Sequence, residues 1–132
     1  MGGTRVEAVR GVFDGWSRGD FRSSAGLLDP HALLIIEDKF PDWGVYLGRE
    51  QIAGYMRDLL QGWSEFSIRA ESYHDAGDSV VVQVRQRGVG RTSGIATELA
   101  YFQVFTFRGE AIIRIDSITD REEAFATVGL RG

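Results

Sequence analysis

The amino-acid sequence predicts an α+β domain whose helices pack on one side of a long antiparallel meander. Three observations lead there. Residues 49–63 carry one apolar stripe at helical spacing. Strand-like segments follow one another from residue 66 to residue 117, and residues 99–107 are apolar on both faces.

In chain order, Thr4 and Glu7 have the spacing of a capping box, and Val6, Val9, Val12, Phe13 and Trp16 then recur three and four residues apart. That pattern predicts a first helix, ended by Gly19-Asp20. Asp20 is placed to cap a short second helix over residues 21–28, with Phe21, Ala25 and Leu28 on one face, until Asp29-Pro30-His31 breaks it. Residues 32–38 (ALLIIED) read as a strand, Pro41-Asp42-Trp43-Gly44 as a turn, and residues 45–47 as a brief extension. In the helix over 49–63 the stripe is Ile52, Tyr55, Met56, Leu59, Leu60 and Trp63. Strands are expected over 66–73, 79–87, 95–108 and 111–117, with a glycine-rich hairpin link over 88–94 and a tight turn at Arg108-Gly109-Glu110. Asp120 and Glu123 cap a short terminal helix that ends near Gly129.

Along 99–107, Leu99, Tyr101, Gln103, Phe105 and Phe107 share one face and Ala100, Phe102, Val104 and Thr106 the other. Helices cover one side of a sheet, so the second apolar face, extended by Ile112 and Ile118, is expected to meet a second copy of the chain.

The length of 132 residues suits one domain, and 43% hydrophobic with 26% charged residues is ordinary for a folded chain. A net charge of -4 and the lack of a Lys/Arg cluster argue against a nucleic-acid or anionic-membrane partner. With no cysteine there is no disulfide, thiolate metal site or Cys nucleophile. No apolar run resembles a leader or a membrane span, so a cytoplasmic location is expected. His31 and His74 lack metal-ligand neighbours at useful spacing and read as turn residues, so no metal and no cofactor are expected.

A carboxylate in an apolar cavity can take a proton next to a carbonyl, and Asp38, at the end of the first strand, is the candidate for it. Gln103, an amide beside Tyr101 on an apolar face, must find partners or a ligand. Trp16, Tyr46 and Tyr55 are candidates to line a cavity for a flat apolar molecule, with Trp43 at its mouth and the Ser117 and Thr119 hydroxyls within reach. Arg85, Arg87, Arg114 and Asp116 fall on the outer face by strand parity.

The helix start Gly48-Arg49-Glu50-Gln51-Ile52-Ala53, the Gly19-Asp20 helix end, the Ile36-Glu37-Asp38 strand end and the finish Asp120-Arg121-Glu122-Glu123-Ala124 resemble the nuclear-transport-factor-2-like superfamily. Within it, the chain is similar to the SnoaL-like polyketide cyclases and ketosteroid isomerases. The resemblance implies a cone: a curved mixed sheet wrapped around helices and a central apolar pocket, commonly paired as a homodimer. It also implies a base at Asp38, or at Ile36 if no two-residue insertion is allowed, with Glu37 next to test. The helix donor of the isomerases falls on Val12, which cannot donate, and the second donor falls on Gln103.

Two functions are therefore open. One is a cofactor-independent isomerase or cyclase moving a proton on an apolar carbonyl substrate, with Asp38 as base and Gln103 as polarising donor, or else a hydrolase of epoxide type. The other is a non-catalytic hydrophobic-ligand-binding or dimerisation module of the same fold.

Overall fold

The computed structural model describes residues 2–22, 24–40 and 42–129; Ser23, inside the expected second helix, and Pro41, in the expected turn, lie outside the described residues, as do Met1 and residues 130–132. Among the described residues three α-helices pack against a curved, unclosed six-stranded sheet. The strand order is β2-β1-β6-β5-β4-β3, with β1 and β6 parallel and the other neighbours antiparallel.

Helix α1 (Gly2–Ser17) begins before the expected cap, so Thr4 and Glu7 lie within it. Its buried face is the predicted one: Val9, Val12, Phe13 and Trp16. Gly19 ends it at φ +74°, where its amide and that of Asp20 close back onto the Trp16 and Gly15 carbonyls at 2.9 Å each.

The expected second helix reduces to a single 3-10 turn, Ala25–Leu27. Asp20 accepts from the Arg22 amide at 3.1 Å, bending the chain instead of opening a helix. Strand β1 (Leu28–Ile36) then starts earlier than expected and takes in Asp29-Pro30-His31. Pro30 is tolerated because the β1–β6 ladder is interrupted between Leu28 and Leu33. The strand stops at Ile36, short of Asp38.

A short β2 (Gly44–Leu47) leads into α2 (Gly48–Gly62), whose Ile52 and Met56 are buried against the concave side of the sheet. Strands β3 (Trp63–Asp75), β4 (Ser79–Gly90), β5 (Ala96–Arg108) and β6 (Ala111–Ile118) form the meander. Gly88 has no room for a side chain, because a Cβ there would stand 2.8 Å from the Trp63 ring.

Both faces of β5 are buried from Tyr101 to Phe105, and there the second face is covered from within the chain. Helix α3 (Arg121–Thr127), capped by Asp120 accepting from the Glu123 amide at 3.1 Å, lays Ala124 and Phe125 over Val81, Phe102, Val104 and Ile118. Those residues are thus buried within one chain. Ile112 differs from expectation. A bulge between β5 and β6 pairs Thr106 with Arg114 and Phe107 with Ile112, which turns Ile112 into the inner core. No helix among the described residues is long and apolar enough to cross a membrane.

Candidate functional site

Alternation places Gln86 of β4, Tyr101 and Gln103 of β5, and Ser117 of β6 on the concave face. Helix α2 closes over them with Tyr55 and Leu59, and Trp16, Ile36 and Phe40 complete the wall of a cavity of about 30 Å³. That volume holds a water molecule or two. Outside it lies an open groove of about 710 Å³, bordered by Tyr46, Asp58 and Trp63 and sharing Asp42, Tyr55, Leu59, Gln86 and Leu99 with the cavity. The shared residues form the mouth.

Polar groups run from mouth to interior in three pairs. The Tyr55 hydroxyl donates to Asp42 Oδ2. Burial, then this hydrogen bond, pushes the Tyr55 phenol well above its ordinary range, so it stays protonated and acts as a donor. The Tyr101 hydroxyl donates to Gln86 Oε1 at 2.8 Å; burial first and the charge of Asp42 second push it up too. Deepest, the Gln103 amide nitrogen donates to Ser117 Oγ at 3.2 Å. Gln103 is 4% exposed, and among the described residues its Oε1 is the buried side-chain atom that lacks a partner. An unfilled buried acceptor costs about 1–3 kcal/mol, and a donating ligand removes that cost.

Five of the expected site residues, Trp16, Tyr55, Tyr101, Gln103 and Ser117, meet at this cavity. Two do not. Asp38 is exposed in the turn that follows β1, and Ile36, one pleat earlier, takes the wall position. Glu37 faces away, accepting from the Thr119 amide and hydroxyl at 2.7 Å each. Trp43 is 64% exposed and borders neither cavity nor groove. Gln86 and Asp42 were not singled out from the sequence. For Gln86 the signal was present, since its alternation with Arg85 and Arg87 sets it opposite Leu99 on the inner face. Asp42 lies in a turn, where no periodicity points anywhere.

Behind Trp16, Phe21 and Met56, which wall both spaces, is a second cavity of about 140 Å³. Among the described residues no group of three or more His, Asp or Glu side chains converges as a metal site would require.

Residues 9–115 match the model of the SnoaL-like domain. The chain belongs to the SnoaL-like family. Solved structures share its fold. A nuclear-transport-factor-2-like protein from Burkholderia thailandensis superposes with a TM-score of 0.81 at 23% identity, covering 88% of this chain and 90% of that one. A chain described as a SnoaL-like polyketide cyclase from Jannaschia sp. CCS1 gives 0.79 at 22% identity, covering 100% and 96%. TerC, co-crystallised with polyporic acid, gives 0.76 at 19%, covering 94% and 96%. No curated protein matches the sequence. Within the SnoaL-like cone seen here, Ile36 stands where the resemblance allowed a base, and Val12 faces the second cavity.

Proposed function

We propose that the cone binds a small, mainly apolar molecule that carries an O–H or N–H group and donates it to Gln103 Oε1. The observation that carries this reading is the buried, unpartnered acceptor in the cavity wall. The sequence suggested Gln103 as a donor, but its amide is engaged with Ser117, so the acceptor is the group on offer. The body of the ligand occupies the groove, and its donor end reaches past Leu59 and Leu99 into the cavity. Paired probes test it: 2-naphthol against naphthalene, by calorimetry. Gln103→Leu is expected to weaken 2-naphthol about tenfold while leaving naphthalene unchanged. Equal loss for both, or none for either, overturns the reading.

A second reading is catalytic and rests on Asp42. Its Oδ2 is held by Tyr55, and its Oδ1 accepts from no described residue, at the junction of groove and cavity. There Asp42 takes the role expected of Asp38: it removes a proton from carbon next to a carbonyl and returns it elsewhere on the same molecule, isomerising it or letting it cyclise. The likeness to a chain described as a polyketide cyclase supports a ring-forming carbonyl substrate. Pairing of two copies belongs to either reading only where α3 leaves the outer face open, around Arg85, Arg87 and Glu98, and sedimentation returning only 14.7 kDa at micromolar concentration removes it.

A further inference from the structure

The second cavity has a chemistry of its own. Its interior is aliphatic and aromatic, with Val12, Ile52, Phe105, Ile112 and Ile115 facing it, and the bulge between β5 and β6 is what turns Ile112 inward. Its rim is cationic. On α2, Arg49, Ile52, Ala53, Met56 and Arg57 fall at i, i+3, i+4, i+7 and i+8, one helix face with an apolar centre and an arginine at each end. Arg22, from the bend after α1, adds a third. Arg49 is fixed at this rim by two hydrogen bonds to the Leu28 carbonyl, at 2.9 and 2.6 Å. Among the described residues no lining residue is acidic. Arg22 and Arg57, like Arg18, Arg49, Arg69, Arg91 and Arg121, take part in no ion pair among the described residues.

We propose that this cavity binds a small monocarboxylate carried on a single apolar ring, with the ring among the isoleucines and the carboxylate at Arg22 and Arg57. Size fixes the body: a cavity of about 150 Å³ lined by Leu, Ile and Phe stays dry and admits benzene, and this one measures about 140 Å³. Charge fixes the head: guanidinium groups without acid partners are matched by the two oxygens of a carboxylate. A ligand rich in hydroxyls is excluded, because the interior offers it few partners. The site is separate from the one at Gln103, where a donor meets an uncharged acceptor.

The isoleucines allow one measurement to read both spaces. Ile52, Ile112 and Ile115 line this cavity, and Ile36 and Ile68 line the other. Methyl NMR of isoleucine-labelled protein is followed during titration with sodium phenylacetate, and separately with phenylacetamide at the same ionic strength. Phenylacetate is expected to shift the Ile52, Ile112 and Ile115 methyls saturably and leave Ile36 and Ile68 in place. Phenylacetamide, uncharged and of the same shape, is expected to bind at least about tenfold more weakly. The double variant Arg22→Gln/Arg57→Gln, on exposed positions, should lower phenylacetate affinity by about tenfold, leave the amide unaffected, and keep the unliganded methyl spectrum superimposable. Equal affinity for acid and amide, shifts led by Ile36 and Ile68, or no saturation into the tens of millimolar, each overturns the proposal.

Discussion

Gln103 and Ser117 stand directly opposite one another on β5 and β6, and the amide nitrogen of the first donates to the hydroxyl of the second at 3.2 Å. In this pairing the amide oxygen is the end left without a partner, which makes this part of the cone an acceptor. Removing Ser117 alone leaves both ends of the amide without partners. Ser117→Ala is therefore expected to cost about 1–3 kcal/mol in urea unfolding, while Gln103→Leu/Ser117→Ala stays close to the parent, because both partners are replaced together. A double variant as unstable as the single would show that the pair is no unit.

Phe125 is buried against the ring of Phe102, centroids 6.2 Å apart, and against His74 at 4.8 Å. Phe125→Ala should cost about 3 kcal/mol or more by opening a cavity under α3. It should also bare Val81, Phe102, Val104 and Ile118, a contiguous apolar face. Light scattering at micromolar concentration is expected to show self-association that the parent lacks. A variant that stays as stable and as dispersed as the parent would mean that α3 is not what covers this face.

Stability should also fall on mild acidification through His74. Burial, and then the nearby charge of Arg121, push its pKa below the ordinary 6.5, and Ser72 Oγ lies 3.2 Å from its Nε2. The unfolded chain takes up a proton near pH 6.5 that the folded chain resists, so stability is complete above that pH and declines below it until the lower folded value is passed. Urea midpoints between pH 7.5 and 5 should show this slope, and His74→Gln should flatten it. An unchanged slope in the variant would assign it to carboxylates instead.

Periodicity made the inner wall legible: Trp16 and Tyr55 on helical spacing, Tyr101, Gln103 and Ser117 on alternation, all meet at one cavity. Alternation fails where a strand slips or stops. The extra residue at Ile113 inverted the expected side of Ile112, and the end of β1 at Ile36 left Asp38 outside the ladder although its parity was inward. Self-burial of the outer face was hidden for another reason. The α3 sequence shows its cap at Asp120 but does not say which face of the sheet it returns to.

Gly48 opens α2 at φ +83°, and a Cβ there would come within 3.1 Å of the Pro30 carbonyl oxygen. Both strain and contact oppose a side chain. Gly48→Ala should cost about 1–2 kcal/mol and loosen the link between α2 and β1 that Arg49 makes to Leu28. Thermal unfolding would check it, and a neutral result would mean that the helix start relaxes freely.

The last prediction separates Asp42 from Asp38. If proton transfer occurs in this cone, the carboxylate responsible must reach the cavity, and Asp42 borders it whereas Asp38 does not. Asp42→Asn keeps the shape and removes the basicity, so turnover on an apolar ketone or lactone identified by screening should drop about a hundredfold with little change in affinity. Tyr55→Phe leaves the carboxylate but frees its Oδ2, loosening its position. Its expected effect is smaller, about tenfold, because the base is kept and only its positioning is lost. Asp38→Asn should leave turnover unchanged. The reverse pattern, loss with Asp38→Asn and none with Asp42→Asn, would require the turn after β1 to fold inward on the substrate. No turnover from any variant, with 2-naphthol still bound through Gln103, would leave binding as the function of the cone.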